Sequence, residues 1–310
     1  MLPRVTFVLG KGGVGRSTVA TALGLGLAAR GERVLVLEWT LTESIAPWFG
    51  LAPVGAAPRE IAPHLSVASY SLDEALRAYF VDHLGLRRFH ARVIAGPHLG
   101  RLIEAAPGIA ELLFLGQLWW LCTLAPDEAG LAFDRVIVDA PATGHGVSLL
   151  DMPATLASMG ATGLLGLEIE RVAGMMRDPA WTGVVIVAVP EELAMEETLE
   201  LAPRVARILG RRPLAAYANR SAAGLAPPDR AWIDALPALG PAGRAALEVA
   251  QAELAARVVV EAELTRALDG ATERGTLALP DLLATEGDLA PAAVARALSS
   301  LALAHAEGAR

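Results

Sequence analysis

Residues 10–18 read Gly-Lys-Gly-Gly-Val-Gly-Arg-Ser-Thr, and no other feature restricts the fold of this chain so sharply. The run follows an apolar, β-branched stretch, Arg4–Leu9, and precedes a helical pattern, Ser17–Arg30, that stops at Gly31. It fits the phosphate-loop pattern G-x-x-x-x-G-K-[ST] at Gly10, Gly15 and Ser17, with Arg16 where lysine is usual. Backbone N–H groups freed by Gly12, Gly13 and Gly15, with Val14 between them, can wrap a β-phosphate at the positive end of the next helix. Ser17 is then placed to ligate magnesium and Thr18 to reach the α-phosphate, so ATP and Mg2+ are the expected cofactors. The plainer reading, a glycine turn that merely opens a helix, does not require the strand before it.

Short apolar runs alternate with longer helical patterns through the rest of the chain, as in a parallel sheet with crossover helices. Besides Arg4–Leu9, strands are expected at Arg33–Glu38, Leu65–Tyr70, Arg135–Asp139, Val184–Val189, Leu214–Ala218 and Thr276–Leu279. The fold class is therefore α/β, a parallel sheet of about seven strands flanked by helices, in one domain over residues 1–310. Helical patterns at Leu72–Leu84, His98–Ala105, Ile109–Leu124 and Met152–Met176 predict inserted helices over about 71–132 and 146–180. The tail from Arg230 reads as helical, and Pro291–Glu307 predicts a last helix covering the sheet.

Composition excludes several functions. A formal net charge of -8 argues against non-specific nucleic-acid binding, which needs a basic surface. Cys122 is the only cysteine, so neither an internal disulfide nor a multi-thiol metal site can form in one chain, and the six histidines show no metal spacing. The first apolar run is too short for a signal-peptide core, and Leu112–Ala125 falls short of the roughly 20 residues that span a bilayer. A cytoplasmic location is expected. Lys11 is the only lysine among 26 basic residues. A chain that uses arginine wherever a generic positive charge suffices has kept this lysine for its chemistry.

With the loop, the segment FDRVIVDAPATGHGVSLLDMP at 133–153 resembles the arsenical-pump and tail-anchored-protein-targeting ATPase family of the signature-lysine P-loop class. Further similar segments are LSVASYSLDEAL at 65–76, Pro107 to Glu111, VVIVAVPEELAMEET at 184–198, Asn219, and Leu279-Pro280. The resemblance implies a nucleotide-controlled dimer in which Lys11 reaches the partner's nucleotide. It implies that Asp139 holds magnesium through water, and that Gly144 and His145 form the switch sensing the γ-phosphate. Asn219 would read adenine and Pro280 would line the base. A carboxamide at a strand end can indeed pair with both N6 and N7 of adenine, although a turn asparagine capping its loop is the alternative.

Two positions depart from the family. Arg16 replaces the loop lysine with a larger, planar, forked cation. Thr40 stands where the family places the aspartate that orients the attacking water, and a hydroxyl is no base at neutral pH. Glu38 and Glu43 lie nearby, Glu38 partly buried and Glu43 at a helix start, with structural roles favoured for both. Whether the chain is an enzyme is left open by these changes. The expected protein binds nucleotide and hydrolyses it weakly or only with a competent paralogue, as a homodimer or heterodimer. A non-catalytic regulatory subunit is the alternative, and a cargo-positioning ATPase fits less well. Leu112 to Leu115, Trp119 and Trp120 form either a groove for an apolar protein client or a packed core, and peripheral contact with a membrane surface is a further possible partner mode.

Overall fold

The computed structural model describes residues 1–40, 42–77, 108–123, 133–160, 162–222, 240–282 and 290–308. The central strands are apolar on both faces, which suits a sheet covered by helices on both sides. β1 (Val5–Leu9) and β2 (Val34–Glu38) are buried throughout. With β3 (Arg59–Ala62), β4 (Leu65–Ser69), β5 (Arg135–Asp139), β6 (Thr182–Ala188), β7 (Ala215–Ser221) and β8 (Thr276–Pro280) they form one sheet in the order β3-β4-β2-β5-β1-β6-β7-β8. Every neighbouring pair is parallel except β3 and β4.

Alternation along the strands sorts the core into two layers. Phe7, Leu9, Leu37, Val136 and Val138 face α4 (Ile109–Thr123), α5 (Thr143–Ser158), α6 (Gly163–Arg177), α7 (Glu192–Leu209) and α8 (Pro241–Ala271). Val8, Val34, Val36 and Ile137 face α1 (Arg16–Ala28) and α9 (Pro291–Glu307). Short helices α2 (Ile45–Trp48) and α3 (Leu72–Arg77) follow β2 and β4. The last helix does cover the sheet: Tyr217 of β7 donates its hydroxyl to the Ala302 carbonyl of α9 at 2.6 Å, and Arg30 pairs with Glu307.

All seven expected strands are present, with ends shifted by a residue or a few. The eighth, β3, is an antiparallel edge strand that the sequence reading lacked. The stretch expected as helix over Met152–Met176 is two helices, α5 and α6, separated by Gly160 and Gly163, both in the left-handed region. β7 runs on past Ala218, so Asn219 lies inside a strand and not at its end. The expected helix at His98–Ala105, most of that at Leu72–Leu84, and the first part of the helical tail lie outside the described residues.

The order of strands brings the C-terminal ends of β1, β2 and β5 together. Ligands of open α/β sheets bind at this edge, where connections diverge.

Candidate functional site

The glycine-rich loop leaves β1 at Gly10 and enters α1 at Arg16. A Cβ on Gly10 would collide with the Val187 carbonyl of β6, and Gly15 takes φ +93°, a conformation that costs a side-chain-bearing residue. Gly12 and Gly13 are exposed and Val14 is buried, so the turn keeps its backbone outward while one side chain anchors it. Asn219 anchors it from below: its Nδ2 donates to the Val14 carbonyl at 2.8 Å. Ser17 and Thr18 lie in the first turn of α1, where unpaired backbone N–H groups and the helix dipole favour an anion.

Beside the loop opens a cleft of about 650 Å³, lined by Arg16, Ser17, Glu38, Thr40, Asp139 and His145 among others. Ser17 Oγ donates to Asp139 Oδ2 at 2.5 Å. Asp139 Oδ1 is buried and has no hydrogen-bond partner among the described residues. Burial pushes the Asp139 carboxyl above the usual carboxylate range, against the Ser17 hydrogen bond and the Arg16 charge, which both favour the anion. A hydroxyl and a buried carboxylate with one oxygen left over make a hard donor set, so these two residues fit a divalent cation.

Arg16 reaches back along the cleft and donates to the Ala140 carbonyl. Its burial lowers its pKa, and Asp139 partly offsets that loss. Its guanidinium is therefore committed to the end of β5 and is not folded into the glycine turn.

Thr40 is exposed, and its hydroxyl closes a local turn with the Thr42 backbone. Glu38 Oε1 accepts from the Ser44 N–H, the Ser44 hydroxyl and the Ile45 N–H, which holds the start of α2. Burial raises the Glu38 carboxyl, those hydrogen bonds oppose the rise, and Asp139 adds to it. Glu43 precedes α2 and accepts from the Val54 and Gly55 N–H groups, so its role here is to brace a loop.

Lys11 Nζ lies 2.9 Å from Glu197 Oε1 of α7. The pair edges a hollow of about 310 Å³ that also includes Gly12, Gly144, Glu200 and Arg204. Gly144 and His145 begin α5, and the His145 N–H donates to the Ala142 carbonyl at 3.0 Å. His145 faces the larger cleft and Gly144 the smaller, so α5 starts between them. Pro280 ends β8 in register with Ser221, two residues beyond Asn219.

The apolar stripe of α4 belongs to the core in this structure. Leu112, Phe114, Leu115 and Leu118 are buried, and Trp119 and Trp120 pack against them. Burial pushes the Cys122 thiol up to about 12, far from the reactive thiolate range. Phe114 also meets Trp39 and Tyr70, at centroid distances of 4.6 and 4.9 Å, which joins α4 to the ends of β2 and β4. Among the described residues no group of three or more metal-ligating side chains occurs, and no helix is long and apolar enough to cross a membrane.

Sequence reasoning missed Glu197, the Ala140 carbonyl and the Trp39–Tyr70–Phe114 cluster. No local signal marks them, because each partner lies far away along the chain.

Comparison with known proteins agrees with this geometry. The model of the anion-transporting ATPase family matches residues 3–162, which includes the glycine loop, Asp139 and the start of α5. The chain is 29% identical to ATPase BagA of Mycobacterium tuberculosis over 214 residues, 66% of this chain and 62% of that protein. It is 29% identical to an arsenical pump-driving ATPase of Acidiphilium multivorum over 67% of this chain and 38% of that protein. An ATPase ASNA1 homolog of Paramecium tetraurelia is 26% identical over 47% of this chain and 43% of its own length. The matches thus span less than two thirds of each of these relatives.

Proposed function

Since the chain belongs to the anion-transporting ATPase family, we propose that it is a nucleotide-controlled subunit that binds ATP in the glycine loop and closes against a second P-loop subunit. The observation that carries this reading is the Ser17–Asp139 hydrogen bond beside an orphaned, buried Asp139 oxygen at the mouth of the loop. Gly10, Gly12, Gly13, Val14, Gly15 and Thr18 would cradle the phosphates. Ser17 and Asp139 would hold Mg2+, whose chemistry when bound is to neutralise developing charge on the transferred phosphoryl group.

Gly144 and His145, at the N-terminus of α5, would form the switch that senses a γ-phosphate, with the helix dipole favouring the anion. Movement there would pass to α4 and α6, which pack beside α5, and these helices would form the responsive subdomain. Asn219 would keep the loop in shape through Val14 and, with Pro280, border the base. Lys11 would leave Glu197 for the partner's nucleotide when the dimer closes. The pair is half-exposed, so exchanging one carboxylate for a phosphate costs little.

Hydrolysis by this chain alone would be weak. Arg16 is engaged by Ala140, and Thr40 is tied to Thr42 without a carboxylate to orient water. That same engagement of Arg16 favours, as a second reading, a regulatory subunit beside a competent paralogue. An apolar protein client or a membrane surface would be handled through rearranged helices, since the α4 stripe is packed here. The test is ATP affinity with and without Mg2+, followed by phosphate release from the chain alone and mixed with a paralogue of intact loop. Release that rises only in the mixture supports the paired subunit. Release from neither, with no ATP binding, refutes the proposal.

A further inference from the structure

Among the described residues that line it, the cleft beside the loop sets two carboxyl groups, Glu38 and Asp139, against one guanidinium, Arg16. Glu38 and Asp139 are in-register neighbours on the parallel strands β2 and β5, so both carboxylates point to the face that carries α1. Glu38 is fully buried and Asp139 nearly so. Among the described residues, each uses one oxygen and leaves the other unpartnered. Glu38 Oε1 is fixed by Ser44 and Ile45 at 2.9 to 3.3 Å, while Oε2 is buried without a partner. Asp139 Oδ2 is fixed by Ser17, while Oδ1 is buried without a partner. Against these two carboxylates the cleft offers one guanidinium, that of Arg16, and it donates to Ala140. An uncompensated charge in such a place is costly unless a counter-ion or a proton joins it. Hard divalent cations are bound by carboxylate and hydroxyl oxygens of this kind.

We propose that Glu38 is a third protein ligand of the divalent cation, joining Asp139 and Ser17, so that the chain takes the cation before nucleotide arrives. The inference rests on the reading above for Ser17 and Asp139, and adds Glu38 and the independence from nucleotide. It also gives Glu38 two separate duties: one oxygen caps α2 and the other faces the cation. Thr40, exposed and turned to Thr42, takes no part.

The test is Mn2+ binding to the full chain without nucleotide, read from the loss of the free Mn2+ paramagnetic signal, with Mg2+-dependent ATP binding measured in parallel. Saturable Mn2+ binding is expected, weakened by about tenfold or more in Glu38→Gln and in Asp139→Asn. Glutamine keeps a carbonyl oxygen for Ser44 and Ile45, and thermal unfolding checks that the fold is retained. Should Glu38→Gln fail to fold, Arg16→Ala decides: removing the competing charge tightens Mn2+ binding severalfold if the site is as proposed, and no tightening overturns it. No saturable Mn2+ binding by the unaltered chain, meaning that the pair is neutralised by protons, also overturns the proposal. So does a folded Glu38→Gln that binds as tightly as the unaltered chain. If ATP binding still depends on Mg2+ in those cases, the nucleotide reading stands. Glu38-dependent Mn2+ binding in a chain that takes no ATP would instead sink the nucleotide reading alone.

Discussion

Lys11 Nζ and Glu197 Oε1, 2.9 Å apart, pair the single lysine of the chain with a carboxylate of its own α7 at the edge of the phosphate loop. An exposed pair of this kind contributes about 0.2–1 kcal/mol, too little to be kept for stability. Its place, between the loop and the start of α5, suits a latch that opens when a better anion is offered.

Glu197→Gln should therefore leave the unfolding temperature nearly unchanged while making Lys11 more available. Because Lys11 is the only lysine, side-chain amine acylation reports on it alone. Faster labelling in Glu197→Gln, and protection when ATP and a partner subunit are added, are the expected outcomes. Lys11→Ala should preserve ATP affinity of this chain yet lower phosphate release by a mixed dimer. Unchanged release would contradict the role in trans.

Arg16→Lys should release the Ala140 carbonyl and restore a compact ammonium to the loop. Tighter ATP binding or faster phosphate release is expected. No change in either would mean that Arg16 does not limit the site.

Gly15→Ala should destabilise the chain by about 1–3 kcal/mol, because the residue sits at φ +93° and a Cβ there would land on Asn219 Nδ2. Asn219→Ala removes that obstacle together with the bond to Val14. The double variant should then lose less stability than the two single losses added, since the sites are coupled. Denaturant unfolding of the four proteins measures the difference directly.

The loop, the parallel sheet and the last helix were legible because each rests on local pattern: glycine spacing, continuous apolar runs, and a proline start at Pro291. β3 was not, since Arg59–Ala62 is a four-residue edge strand whose apolar residues, Ile61 and Ala62, are adjacent and give no alternation to mark it. The break between α5 and α6 was hidden because Gly160 and Gly163 lie among helix-forming residues, and only their left-handed φ sets them apart. Glu38 read as a partly buried strand residue, which is correct as far as it goes. That its two oxygens face different partners depends on α2 and β5 arriving from elsewhere. Lys11 was recognised by its solitude, but nothing near it points to Glu197, on a helix that five strands separate from it in sequence.

His305 of α9 is half-buried, edge-to-face with Tyr217, and its Nε2 lies 3.2 Å from the Gly275 carbonyl oxygen. Burial holds its pKa below the ordinary histidine value. The unfolded chain then binds a proton first, so stability should fall as pH drops through about 6.5 and level off below the folded value. His305→Gln should flatten this part of the profile, which thermal unfolding between neutral and mildly acidic pH would show.

The proposed nucleotide site is tested most directly by equilibrium binding of ATP with and without Mg2+, to the unaltered chain and to Asp139→Asn. Binding that tightens with Mg2+ in the former and loses that response in the latter is the expected result. ATP binding indifferent to both the metal and Asp139, or no binding at all, would contradict it.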